Sequence, residues 1–217
     1  MGDHEMIQSK ALHTVIIVCA LSILFGCAQK GPLLVNMWYK PPQDLVASAH
    51  KAVVGISPFI DERGTSKSAL GKKSQPSSNK ENEIVIQGIV AELVTSKFKE
   101  ALTARGITVK DIPAWDMVGE HIEAVDADIL IGGHIKTLWT TAASSPLNVN
   151  YKADVQIKVS IADMAEKRLF RRLTLSSSLE RKDVNFSLAR VESMLTEALS
   201  SAIDQLMNDE EFKKRVK

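Results

Sequence analysis

Few residues in the chain could do chemistry, and they are poorly grouped. Cysteine occurs twice, at Cys19 and Cys27, in or beside an apolar N-terminal run. The rest of the chain has no thiol, which excludes a disulfide framework, a cysteine metal site and a cysteine nucleophile from it. Beyond that run stand His50, His121 and His134, none at metal-ligand spacing from another histidine or from a cysteine, so no metal site is expected. Gly132-Gly133-His134 lacks the further glycines and the helix start of a phosphate cradle. It sits inside a strand pattern and reads as a place of close backbone approach. Asp126 and Asp128 would share a face of an extended chain, but a carboxylate pair ahead of a strand is more often a turn or cap than an acid–base couple. Serines are plentiful without a G-x-S-x-G elbow. No nucleophile, base or cofactor can be named, and an enzyme is not expected.

The strongest chemical signal is positional. From Thr14 to Gly26, 13 residues (TVIIVCALSILFG) carry no charge, whereas a helix crossing a bilayer takes about 20. The run has the length of a signal-peptide h-region and ends on the small residue Gly26. Asp3 and Glu5 do not suit a positive n-region. A start at Met6 gives MIQSKALH, with Lys10 its only formal side-chain charge. Leu24-Phe25-Gly26-Cys27 resembles the lipobox of bacterial lipoproteins; the alternatives are a signal peptide cut elsewhere or a signal anchor, with Cys27 an incidental thiol. The resemblance implies cleavage between Gly26 and Cys27, a diacylglycerol thioether on the Cys27 sulfur and an acyl group, such as palmitate, on the freed amine. No other cofactor is expected. Several acyl chains, each contributing about 0.8 kcal/mol per buried methylene, anchor a domain far more durably than one. Ala28, in place of an aspartate after the cysteine, implies the outer membrane, with the domain facing the periplasm.

With 217 residues, 45% hydrophobic and 24% charged, the chain suits one globular domain. A net charge of +1, with basic residues dispersed, provides no field for nucleic acid. Removing residues 1–26 takes away Lys10, Asp3 and Glu5 and changes that charge by one unit.

The expected organisation is a signal peptide over 1–26, a lipidated tether over 27–50 and a single α+β domain over 51–217. Met37-Trp38-Tyr39 is too apolar for a pure linker and is expected to pack on the domain, with partner contact through Trp38 and Tyr39 the alternative. A strand over Lys51–Ile60 precedes a flexible loop at about 61–82, rich in Gly, Ser, Pro, Lys and Asn. The spacing predicts a helix over Ile84–Arg105 capped at Gly106, a strand over Ile107–Ile112, a short helix over Asp116–Ala124 and a strand over Ala127–Trp139, apolar on both faces in its first half. Strict alternation from Val149 to Ala162, repeated over Leu169–Leu179, predicts a long antiparallel hairpin. An amphipathic helix over Phe186–Met207 and a helical turn from Asp209 close the chain. The fold class is a mixed, mostly antiparallel sheet with a long C-terminal hairpin, covered by two long amphipathic helices.

Two groups are candidate partner contacts. Asp61 and Arg63 stand where the first strand meets the loop. Lys152, Lys158, Arg171 and Arg172 lie on the hairpin, where they would form a modest basic patch. The hairpin would also expose a strand edge for β-augmentation.

Several stretches resemble the YajG-type lipoproteins, a bacterial outer-membrane family: Cys27, Asp61-Glu62-Arg63 with Leu70-Gly71, Leu102-Thr103-Ala104-Arg105-Gly106, Ala127-Asp128, Lys152-Ala153-Asp154 and Leu206-Met207-Asn208-Asp209. The resemblance implies a periplasm-facing lipoprotein without an established activity. The expected function is a non-catalytic binding or accessory module of the cell envelope. Its partners would be the membrane, through the lipid anchor, and envelope proteins or cell-wall polymer. A structural subunit of an oligomeric secretion or assembly complex is the alternative, and a cell-wall hydrolase a lesser one. Cys27→Ser is expected to abolish fatty-acid labelling and to release or misprocess the protein; labelling that survives the change contradicts the anchor.

Overall fold

The alternation over residues 149–163 becomes a 15-residue strand, β8 (Val149–Asp163), whose odd-numbered residues from Val149 to Ile161 are all buried. It lies antiparallel between β7 (Ile129–Ser144) and β9 (Arg168–Asp183). The computed structural model describes residues 31–45, 52–75, 80–122 and 124–217, and Pro32–Lys217 is one compact unit. The remaining described strands are β1 (Leu33–Leu34), β2 (Val53–Ile56), β3 (Ile60–Asp61), β4 (Ala69–Gln75), β5 (Lys80–Val85) and β6 (Thr108–Asp111). Three helices follow the same order: α1 (Val90–Ala104), α2 (Leu188–Met207) and α3 (Glu210–Val216). The class is α+β, as its pattern predicts.

The free edge of β7 is shared by three short parallel strands. β2 pairs with Ile129–Ile131, β3 with His134–Ile135 and β4 with Thr140–Ala143. β6 extends the sheet beyond β2, while β5 and then β1 extend it beyond β4. Pro58, which has no N–H, marks the break between β2 and β3. Around it Ser57 N donates to Ile131 O at 2.8 Å, Phe59 N to Thr95 Oγ1 at 3.0 Å and Glu62 N to Ile135 O at 3.0 Å.

Between β3 and β4 the edge is closed by a side chain. Arg63 Nη1 donates to Leu138 O at 3.2 Å and to Ala69 O at 2.5 Å. Nη2 donates to Ser66 O at 3.4 Å and to Asp61 Oδ2 at 2.8 Å, and Nε to Asp61 Oδ1 at 2.8 Å. All five guanidinium N–H groups are thus used. The Arg63 side chain is only 3% exposed, and its hydrogen bonds hold the Asp61 carboxyl below the ordinary carboxylate value.

α1 and α2 pack together, α2 on β7, β8 and β9 and α1 on β3 and β6, over one continuous core that includes Phe98, Leu102, Ile131, Ile157, Leu195 and Leu199. Gly106, with φ +81°, ends the α1 segment as its position predicts. The Ser187 hydroxyl caps α2, and Asp209 Oδ1 caps α3 by accepting from Phe212 N at 3.0 Å. On the opposite face, Trp115, Met117, Ile122, Leu130 and Ala162 form a second small cluster. The first half of β7 is accordingly buried on both sides, as expected.

Four expectations are corrected. The stretch expected as a flexible loop carries β4 and the first half of β5. Leu70 and Ile84 anchor the base of this hairpin in the core, while its polar outer half is ordered by backbone pairing with β7. The helix expected from Ile84 begins only at Val90, because Ile84 and Val85 belong to β5 and Gly88, at φ +109°, breaks the helical path. The expected helix over Asp116–Ala124 is reduced to a 3-10 turn, Gly119–His121, after Met117 at φ +60°, a conformation no right-handed helix accepts. The tether expected over 27–50 joins the fold from Leu33 on: Met37 and Tyr39 are buried, as their apolar cluster leads one to expect, Val35 is buried with them, and Val35 N donates to Val85 O at 2.9 Å.

Replacing Arg63 by Met should cost about 3 kcal/mol or more, because a nearly buried Asp61 then loses its partner and three carbonyls, of Ser66, Ala69 and Leu138, lose a donor. The urea midpoint at unchanged slope measures this; a shift worth less than about 1 kcal/mol contradicts the assignment.

Candidate functional site

Residues paired across an antiparallel ladder share a face. On the face of the hairpin turned away from α2, the register gives successive rows: Gly132–Ser160–Arg172, His134–Lys158–Thr174, Thr137–Gln156–Ser176, Trp139–Asp154–Ser178 and Thr141–Lys152–Glu180. The connection from β6 to β7 covers the Leu130 and Ala162 end through the Trp115 cluster. The rows beyond it are open. At the border lies a recess of about 440 Å³, walled by Asp116, Met117 and Val118, with His134, Lys158 and Ser160 in its floor and Arg172 and Thr174 at its rim.

Gly133 permits this packing from behind. A Cβ there would lie 2.5 Å from the Phe59 ring and 2.7 Å from Lys158 O, so the close approach expected at Gly132-Gly133 is what the strand contains. His134 Nδ1 is 2.8 Å from Glu62 Oε1, and Lys136 pairs with the same carboxylate. Those partners, Lys136 first, hold the Glu62 carboxyl below its usual range. Across the recess Asp116 Oδ2 is 2.5 Å from His121 Nδ1, and that contact, helped by the Val118 N–H, lowers the Asp116 carboxyl likewise. Lys158 and Arg172 have no carboxylate partner among the described residues, and they are a diagonal neighbour pair whose Cα positions lie about 7 Å apart. The recess therefore presents two cations without a direct carboxylate partner beside two hydroxyls, with the Asp116 carboxylate across from them.

The other candidates scatter. Lys152 is 3.2 Å from Asp154 and faces Glu180 across the ladder. Arg171 pairs with Ile161 in register, on the α2 side, and its guanidinium meets Asp209 at 2.6 Å. The expected four-residue basic patch thus reduces to Lys158 and Arg172. Asp61 and Arg63 hold the sheet together and Arg63 is buried, so neither is positioned for a partner. Asp128 Oδ2 accepts from Val53 N at 2.7 Å, at the start of β2, and Asp126 makes an exposed ion pair with Lys110, so the pair is split between two partners. Gly26, Cys27 and His50 lie outside the described residues. Among the described residues no cluster of three or more His, Cys, Asp or Glu side chains could hold a metal, and no helix is long and apolar enough to cross a membrane. The outer edge of β9 is met at Ser176 by Gln205 of α2, which accepts from Ser176 N at 3.1 Å and donates to Ser176 O at 2.6 Å.

Trp38 is 48% exposed and Tyr39 buried. The Tyr39 hydroxyl donates to Asp204 Oδ1 at 2.6 Å and accepts from Arg105 Nη1 at 2.7 Å, while Arg105 Nη2 meets the same Asp204 oxygen at 2.7 Å. Neighbouring backbone groups add to this: Asn36 N donates to Glu192 Oε1 at 2.8 Å and Lys40 N to Ser200 Oγ at 2.9 Å. The triad joins the segment after the apolar run to both long helices. Its three members are 66 to 165 positions apart, beyond the reach of any spacing rule.

No protein-family model and no curated protein sequence matches the chain. Among solved structures, a Xanthomonas campestris protein of the DUF330 family is similar at a TM-score of 0.51 with 10% identity, over 80% of this chain and 91% of that one. This likeness shows the fold. Weaker likenesses include the lipoprotein GNA1162 of Neisseria meningitidis, at TM-score 0.37 and 15% identity over 73% of this chain and 99% of that one. A minor lipoprotein of Acinetobacter baumannii is similar at 0.35 and 10%, over 69% and 88%.

Burial first, and then the hydrogen bond to Asp204, push the Tyr39 hydroxyl up to about 12 against the pull of Arg105; burial also raises Tyr151. A raised phenol favours the neutral form in the folded state, so the stability it contributes is complete below about 10 and lost as pH rises from about 10 to 12. Phenolate absorbance should therefore show neither of the two tyrosines ionising at 10 in the native protein, and Tyr39→Phe should reduce the alkaline loss of stability. A native tyrosine with an ordinary midpoint contradicts the burial.

Proposed function

We propose that the chain is a lipid-anchored module of the bacterial outer membrane, of the YajG type, that faces the periplasm and binds an anionic component of the cell envelope without reacting with it. The observation that carries the binding part is the recess of Lys158 and Arg172: two cations with no carboxylate partner among the described residues, set among Ser160, Thr174 and His134 on a sheet face no helix covers. Such a group suits carboxylates or phosphates repeated along a polymer, because charge-assisted hydrogen bonds from a lysine and an arginine contribute affinity without demanding one ligand shape. The Cys27 motif supports the anchor, and the similarity to structures of bacterial lipoproteins accords with it. We read the recess as a binding site because its two cations, Lys158 and Arg172, are placed to hold an anion beside the hydroxyls of Ser160 and Thr174.

Co-sedimentation of the mature protein with purified peptidoglycan sacculi, whose stem peptides bear carboxylates, tests this reading. The double change Lys158→Ala and Arg172→Ala should weaken binding by about tenfold or more, in a salt-dependent way, while Lys152→Ala leaves it near the parent value. Binding by the parent that the double change does not weaken contradicts the assignment, as does failure of the parent to sediment with sacculi.

A further inference from the structure

The chain enters the fold at one particular end of the sheet. β1 runs parallel to β5, with Leu33 level with Ile84, so the residues before Leu33 approach from the Lys80 end of β5. Register carries that level across the molecule: Lys80 pairs with Gln75, the next position on β4 after the Ser74–Ala143 pair, and Ser144 pairs with Val149, which pairs with Asp183. Lys80, Gln75, Ser144, Val149 and Asp183 therefore form one row at the end of the sheet.

Beyond that row project the two most exposed large apolar side chains among the described residues, Leu147 at 84% and Val184 at 74%. Both are held rigidly. Leu147 follows Pro146 in a tight turn closed by Ser145 N to Asn148 O at 2.7 Å and Ser145 Oγ to the same oxygen at 2.9 Å. Val184 N donates to Asp183 Oδ1 at 2.9 Å, and Arg190 fixes the other Asp183 oxygen at 3.2 Å. Lys80 on the end row and Lys182 on the row behind it are exposed, with no carboxylate partner among the described residues.

We propose that this end of the sheet rests on the lipid surface, with Leu147 and Val184 at the acyl–headgroup boundary and Lys80 and Lys182 against headgroup phosphates. The inference rests on acylation of Cys27. Six residue steps separate Cys27 from Leu33, a reach of at most about 20 Å. Leu33 is four residues, about 13 Å, short of the end row. An acylated Cys27 can thus pass the end row by only about 7 Å when the leash is fully drawn out. A tether reaching from Cys27 to β2 would have left the domain free to tumble, but the burial of residues 35, 37 and 39 removes that slack. Scattered exposed apolar residues are ordinary on a protein surface. Here the two most exposed ones stand at the end to which the leash leads, flanked by lysines that complement phosphate. The recess of Lys158 then stands about 30 Å from the lipid, ten positions along β7, turned toward whatever lies beyond the membrane.

The test uses the acylated protein in phospholipid vesicles, with single changes Leu147→Cys, Val184→Cys and Ala165→Cys, the last in the β8–β9 turn at the far end of the sheet. In the mature protein Cys19 has left with the leader and the Cys27 sulfur is a thioether, so each introduced thiol is the only one that an environment-sensitive fluorophore can label. Blue-shifted emission and quenching by brominated acyl chains are expected at 147 and 184 and absent at 165. A single labelled site with no shift at 147 and 184, or with a shift at 165, overturns the docking while leaving the anchor in place. Labelling of a second site, Cys27, shows an unacylated thiol and overturns the anchor together with the docking built on it.

Discussion

Everything in this fold depends on keeping one edge of β7 continuously paired. A strand of 16 residues offers too long a row of backbone donors and acceptors for any single short parallel partner. Three strands share the edge in turn, and each junction is closed by a specific group. Ser57 and Glu62 supply backbone N–H groups on either side of Pro58. Where no strand is present, the guanidinium of Arg63 takes the place of a backbone donor at Leu138 O and ties Ser66 and Ala69 to the same point. Asp61 makes this arrangement possible by balancing the charge of a side chain that is almost wholly out of water.

The same economy shapes the two faces of the hairpin. α2 covers one face along its length, so the apolar half of the alternation is buried; the other face is covered only where the β6–β7 connection folds over it. A recess forms where cover ends, and its cations are left without internal partners. The strip from Leu33 to Lys40 does for the helices what Arg63 does for the sheet. Backbone pairing to β5 and the Tyr39–Arg105–Asp204 triad make the segment next to the proposed anchor a structural part of the domain. Sheet end and recess thereby lie at fixed relative heights along one set of strands.

Much of this was open to reading in the sequence. The alternation of residues 149–162 and the helical spacing before Gly106 and Met207 reflect local periodicities that burial enforces; the strand and the last long helix are found where expected, and the helix before Gly106 from Val90 on. β4 and β5 were hidden because a sheet extension paired through its backbone needs few apolar side chains, and residues such as Lys72, Lys73 and Glu81 resemble loop composition. The alternation of Val35, Met37 and Tyr39 was present, but three positions between prolines are too few for a period to stand out. At the candidate site, only the register of the ladder separates Arg172 from Arg171: neighbours in sequence point to opposite faces, and a one-residue shift would have exchanged their roles. The Arg63 and Arg105 networks join residues far apart in the chain, where no spacing rule applies.

The strip after the apolar run is part of the fold and not a tether. Native-state hydrogen exchange of the Val35 and Lys40 amides tests this most directly, because their acceptors, Val85 O and Ser200 Oγ, belong to the sheet and to α2. Protection of both amides approaching that of the β7 and β8 ladder is the predicted result. Exchange at the rate of an unstructured peptide, with the ladder still protected, would contradict it and restore a long, loose leash.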